Sequence, residues 1–267
     1  MSVSTQTQSV NTNTLPNLNN IISFTEGLSH FTVHQLYKSR FTRSQIVKIK
    51  HLKPHVPVQP IKSLDEIQKV KDYFLSRPKS YRTLNTNIRN YCIIVCNINI
   101  GLRAGDLLNI KISDIMYDTN FNFKKDITII ESKTGKNKTF SLCNNAREAI
   151  IMYLKTRPNF TLDEYLFVSK KYHKDKTTDM MVNNITPNGL YQALQKMKSE
   201  VELNEQHIGT HSLRKTFAYQ RLMKHKDDPY YVATIQELLN HSNLKTTRKY
   251  LGIDQDVKRD VYMNDEI

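Results

Sequence analysis

Three prolines close together, Pro54, Pro57 and Pro60, cut this chain into two unequal parts. Each lacks a backbone N–H donor and biases the residue before it toward extended backbone, so no regular helix or central strand runs through them. The part before them is short and polar, and a packed core must therefore come from the residues after about 60. Residues 1–20 are Ser, Thr, Asn and Gln with few apolar anchors, a composition that predicts a disordered tail. Residues 21–60 read as a short basic arm and linker. From Gly27 to Leu64 there is no acidic residue, while Lys38, Arg40, Arg43, Lys48, Lys50, Lys53 and Lys62 are all cationic. Charge of one sign without a balancing carboxylate favours phosphate contact over a merely solvated surface.

After the linker the pattern changes. Ser63 and Glu66 form an S-x-x-E capping box ahead of a periodic stretch that ends near Ser76. A second apolar helix is predicted from about Thr86 to Ile100, stopping at Gly101. A short helix holding Arg103, Asp106, Leu107 and Leu108 follows it. Asp126–Ser132 and Lys138–Leu142 are β-rich runs joined by Lys133-Thr134-Gly135-Lys136, which predicts a hairpin. Helical signals return over Asn145–Thr156, and Tyr165–Ser169 reads as one further short strand before a polar loop. Thr186 and Pro187 supply a cap and first-turn proline for a helix to about Val201. Further helices are expected over Ser212–His225, from Pro229 to about Leu239, and from Thr246. Residues 61–267 thus read as one mainly α domain with a small antiparallel β-sheet.

The whole chain carries 39 Lys+Arg against 25 Asp+Glu, a net +14, which points to a polyanionic partner and to nucleic acid first. The longest apolar stretch, Tyr91–Leu102, is broken by Asn97 and Asn99 and is too short to span a bilayer. The opening MSVSTQTQ has neither a basic nor an apolar leader region, so a cytoplasmic location is expected. Three cysteines, at 92, 96 and 143, form no disulfide framework. Cys92 and Cys96 share a helix face, where the neighbours Ile93, Ile94 and Val95 favour buried thiols over a zinc pair.

Five features fall in order on this framework: G-L-R-A-G-D-L-L at 101–108, Lys133 in the hairpin, H-S-L-R-K-T at 211–216, L-L-N-H-S at 238–242 and T-T-R-K-Y-L at 246–251, with Tyr250 nine positions after His241. Each fragment is weak alone. In series they resemble the catalytic domain of the tyrosine recombinases, the family of Cre, lambda integrase and the Xer recombinases, over roughly residues 60–262. The residue types suit that chemistry independently. Transesterification of a phosphodiester builds charge on the non-bridging oxygens, and Arg103 and Arg214 are fixed cations able to grip them through paired hydrogen bonds. Tyr250 is the candidate nucleophile, and its phenol needs a proton acceptor, for which His211 is available.

The resemblance implies more. Tyr250 would form a 3′-phosphotyrosyl link and release a 5′-hydroxyl, with Lys133 as the general acid in preference to Lys136 or Lys138. His241 would contact the same phosphate or pack on the tyrosine segment, and Asp106 would orient site residues. Lys136 and Lys215 join Lys38, Arg40, Arg43, Lys48, Lys50 and Lys53 as expected DNA contacts. Storage of bond energy in the phosphotyrosyl ester implies no cofactor, and no metal site is expected. The expected partners are double-stranded DNA, further copies of the chain as a dimer or tetramer on it, and an accessory DNA-binding protein. Integration, excision, plasmid resolution and nicking share these motifs, as would a catalytically silent DNA-binding relative.

Three departures from the family pattern stand out. Lys215 replaces the usual histidine after the second arginine, and Asn240 replaces the usual glycine before His241. The front of the chain is too short for the several-helix core-binding domain that the family usually carries.

Overall fold

The computed structural model describes residues 57–76, 81–169, 183–204, 207–251 and 262–263. The basic arm, with Lys38, Arg40, Arg43, Lys48, Lys50 and Lys53, and the polar tail before it lie outside these residues. So does most of the polar loop after Ser169. The described residues belong to one compact unit that begins at Pro57. They form nine helices and one hairpin, a mainly α fold with a two-stranded sheet.

Helix α1 (Leu64–Leu75) starts at Ser63, whose hydroxyl accepts from Glu66 N at 3.4 Å. The box is half made, because the Glu66 carboxylate turns away to accept from Asn204 N at 2.5 Å. Helix α2 (Tyr81–Ile100) is the central element and packs against α1, α5 and α7. Its run Cys92–Cys96 is buried on every side, as a helix apolar all round must be, and the two thiols lie 4.0 Å apart inside the core. Gly101 ends it at φ 73°, and a Cβ there would sit 2.3 Å from the Phe217 ring. Only glycine fits this turn.

Helix α3 (Ala104–Leu108) follows with Arg103 as its N-cap, and α4 (Ile112–Ile115) is a single turn that the sequence reading did not anticipate. Strands β1 (Ile127–Ile130) and β2 (Asn137–Phe140) pair antiparallel with Ile127 opposite Phe140 and Ile130 opposite Asn137. Gly135 takes φ 66° in the turn. After the hairpin come α5 (Asn144–Lys155) and α6 (Pro187–Glu200), the latter capped by Thr186, whose hydroxyl accepts from Gly189 N at 3.1 Å. The expected strand at Tyr165–Ser169 is instead an extended segment with single bridges to Lys111 and Asn184. Its Leu166 and Phe167 are buried as in a strand, but the neighbours on either side are connecting segments that pair with it at one point each.

Helices α7 (Thr210–Lys224), α8 (Tyr231–Leu238) and α9 (Leu244–Leu251) pack on one another and close the fold. Helix α8 opens at Tyr231 rather than at Pro229, which lies in the preceding turn. A large core holds α1–α6 and the hairpin together. A second, small one is formed by Phe217, Ala218 and Leu222 of α7 with Ile235, Leu239 and Leu251. No helix among the described residues is long and apolar enough to cross a membrane.

Candidate active site

The site lies where these two cores meet. His211 and Arg214 are three residues apart on α7 and therefore share a face. Arg214 is 2% exposed and its guanidinium joins the two sides: Nη1 donates to Gly101 O at 2.7 Å and Nη2 to Leu239 O at 2.6 Å. Two of its five N–H donors are thereby committed. Buried carbonyls pull the fork into one orientation.

Arg103, at the start of α3, is held by carboxylates. Its Nη1 lies 2.5 Å from Glu131 Oε1 and 4.0 Å from Asp106 Oδ2. Asp106 also accepts from Ser132 N at 2.9 Å and so fixes the hairpin backbone next to Lys133. Glu131 is fully buried and also accepts from the Thr134 hydroxyl at 2.7 Å. Burial pushes the Glu131 carboxyl up, but Arg103, Thr134 and Asn240 more than offset it and the group stays below the usual carboxylate range.

Lys133 and Lys136 stand exposed in the turn. Lys133 is close enough for its charge to act on His211. Lys138 differs, being 5% exposed with Nζ donating to Leu238 O at the end of α8. Its own burial, then Arg214 and Arg103, lower its pKa against the opposing pull of Glu131.

Tyr250 is carried by α9. Burial pushes its phenol up to about 12, with Arg214 and Arg103 opposing. Arg214 is the main cation acting on it, yet no group meets full hydrogen-bonding geometry at the buried Oη. Lys215, read from the sequence as a DNA contact, is buried at 8% exposure with Nζ 5.2 Å over the Tyr250 ring. The His241 ring meets Tyr250 edge to face at 5.1 Å between centroids, and its Nδ1 shares a 3.0 Å hydrogen bond with the Thr247 hydroxyl. Burial, then Arg214 and Arg103, depress His241 to about 4. His211 is lowered as well, by partial burial and then by Arg214, Arg103, Lys133 and Lys215. Both imidazoles are neutral at pH 7.

The structure therefore places Arg103 and Arg214 within electrostatic reach of His211, His241 and Tyr250, with Lys133 acting on His211 and Asp106 beside Arg103. Glu131 and Lys138 belong to the same cluster. Both were legible in principle: Ile127, Ile129 and Glu131 alternate onto one face of β1, as Lys138 and Phe140 do on β2. A charge on an apolar face requires a partner. No group of His, Cys, Asp and Glu suited to a metal ion occurs among the described residues.

Cations thus converge on a buried phenol with the His241 imidazole beside it, an arrangement suited to an anion. The model of the phage integrase family matches residues 75–256. The chain is 34% identical over 205 residues to the probable integrase/recombinase YoeC of Bacillus subtilis, covering 77% of this chain and 95% of that protein. It is 31% identical over 214 residues to the tyrosine recombinase XerA of Pyrococcus horikoshii, covering 79% of this chain and 62% of that one. In fold it resembles a XerH site-specific recombinase bound to palindromic difH substrate in a post-cleavage complex, with a TM-score of 0.56 at 21% identity over 79% of this chain and 54% of that one. The chain belongs to the phage integrase family. Its fold is that of the tyrosine recombinase catalytic domains.

Proposed function

We propose that this protein is a site-specific DNA recombinase or integrase that cuts and rejoins DNA through Tyr250. The observation that carries this reading is the buried Tyr250 hydroxyl, set under the influence of Arg214 and Arg103 in its own chain. Arg103 and Arg214 hold the non-bridging oxygens of the scissile phosphate, where negative charge grows as the phosphorus becomes pentacoordinate. Tyr250 Oη attacks, and its proton passes to the neutral His211 as the new bond forms. The bond from phosphorus to O5′ breaks, and Lys133 donates a proton to the leaving oxygen. Because the phosphotyrosyl ester retains the energy of the broken diester, rejoining is the same step reversed and calls on no cofactor. His241 supports the Tyr250 ring and Lys215 lies against its face.

The partner is double-stranded DNA, met in the cytoplasm by more than one copy of the chain. The relatives support this: one is named an integrase/recombinase, and the XerH structure holds its substrate after cleavage. Residues 21–60, with Lys38, Arg40, Arg43, Lys48, Lys50 and Lys53, grip the backbone, and Lys136 adds to that grip beside the site.

The test is covalent capture. Incubated with a pool of random-sequence duplexes carrying 5′-bridging phosphorothiolates, the wild type is expected to give an SDS-stable, protease-sensitive adduct. Tyr250→Phe gives none while still binding DNA. An adduct that persists in Tyr250→Phe assigns the nucleophile elsewhere.

A further inference from the structure

Among the described residues two hydrogen bonds join the hairpin to the segment that leads to Tyr250, from Lys138 to Leu238 O and from Asn240 to Asn137 O. The second comes from a residue that departs from the family pattern. Asn240 stands where the resemblance calls for glycine. Its backbone has φ 50°, the left-handed region that glycine adopts freely and that asparagine tolerates better than most residues. The turn that precedes His241 thus keeps its shape, and asparagine adds a side chain to it. That side chain is used. Its Nδ2 donates to Asn137 O at 3.2 Å, at the first residue of β2, and its amide helps to hold down the carboxyl of Glu131, the residue that follows β1. The two contacts fall on either side of the turn that carries Lys133.

From these positions we infer that Asn240 is a positioning residue: it fastens the Lys133 turn to the segment that bears His241 and Tyr250, so that the group protonating the leaving oxygen and the nucleophile are set together. Glycine at this position supplies the backbone turn alone. Lys138, which donates to Leu238 O, and Arg214, which donates to Leu239 O, fix the end of α8 itself. Asn240 extends that connection to the two ends of the Lys133 turn. The inference rests on the proposed roles of Lys133 and Tyr250, and its chemical readout is chosen accordingly. A sulfur leaving group departs without protonation, so a 5′-bridging phosphorothiolate needs no general acid. A defect in placing Lys133 is visible on an ordinary phosphate and disappears on the thiolate.

Two variants test this in the full chain. Asn240→Gly keeps the left-handed turn and deletes the side chain. Asn240→Asp keeps the size but loses the donor and faces the Glu131 carboxylate. Hydrogen exchange without DNA should show the amides of residues 131–138 opening about tenfold faster in both variants, with those of α2 unchanged. On a duplex captured by the wild type, both should cut the ordinary phosphate about tenfold more slowly, the effect of modest misplacement, and the phosphorothiolate at close to the wild-type rate. Unchanged hairpin exchange in Asn240→Gly overturns the coupling. So does an equal slowing on both substrates, or none on either. If the wild type captures no duplex at all, the proposed function fails while the exchange measurement still decides the coupling.

Discussion

The two cores of this molecule are built on different scales. Among the described residues the large one gathers 34 buried side chains from α1–α6, the hairpin, the start of α7 and the segments between them, whereas the small one has six, Phe217, Ala218, Leu222, Ile235, Leu239 and Leu251. Burial stabilises in proportion to the apolar area removed from water, so nearly all of the hydrophobic stabilisation lies in the first. Arg103, Asp106, Glu131 and Lys133 are anchored to that part. Tyr250, Asn240 and His241 ride on the second. The proposed nucleophile thus belongs to the region expected to open more cheaply, and Arg103 and Lys133 to the region expected to stay closed. Polar bonds with fixed geometry, from Arg214, Lys138 and Asn240, join the two.

Breaking the Arg214 link should have the largest effect. Arg214→Lys is expected to slow cleavage by about 100-fold or more, since lysine offers no planar fork for two carbonyls and a phosphate. It should also speed hydrogen exchange over residues 231–251. Arg103→Lys, whose carboxylate partners lie on the large-core side, should share only the loss of rate. Near-normal cleavage by Arg214→Lys would mean that this bridge is no part of the site.

Gly101→Ala attacks the same junction through packing. A Cβ placed 2.3 Å from the Phe217 ring, at φ 73°, forces the ring and the turn apart. A loss of about 2–4 kcal/mol in denaturant unfolding is expected, combining overpacking with a strained left-handed residue. An unchanged midpoint would show that Phe217 yields freely. Cavities sharpen the contrast. Leu194→Ala in the large core and Leu239→Ala in the small one each remove a fully buried side chain, at a cost of about 2–4 kcal/mol. Leu194→Ala should lower the global transition. Leu239→Ala should mainly raise exchange within residues 231–251. Identical exchange maps would make the two cores one cooperative unit.

The smallest effect is acid loosening of the small block. His241 titrates near 4 when docked and near its ordinary 6.5 when released. Between those values the released state takes up a proton that the docked ring refuses, so docking weakens as pH falls from about 6.5 to 4. The Glu131 carboxyl, also depressed, withdraws its contribution as pH falls through its own lower value. After solvent screening the change is on the order of 1 kcal/mol. Exchange over residues 231–251, corrected for its intrinsic pH dependence, should rise accordingly, and His241→Asn should flatten the profile. A flat wild-type profile would place the His241 titration outside the docking equilibrium.

Much of this was legible in the sequence, because many signals act within a few residues. Ser63, Gly101 and the pair Thr186-Pro187 mark helix ends through their own backbone and side-chain preferences. Two β-rich runs joined by the Gly135 turn located the hairpin. The ordered series from Arg103 to Tyr250 named the candidate site. Contacts between distant segments were not legible. Tyr165–Ser169 has the composition of a strand but lacks a continuous partner, and strand pairing is decided by what folds alongside. Glu131 and Lys138 lay in plain view on the apolar face of the hairpin, yet their partners are Arg103, 28 positions earlier, and Leu238, 100 positions later. Arg214 reaches one carbonyl 113 residues before it and another 25 after it. Spacing along the chain determined which residue types and helix faces are present. Only the closing of the two cores decided which carbonyls, carboxylates and rings those groups meet, because burial leaves each charged or polar group with the few partners that the packing brings within reach.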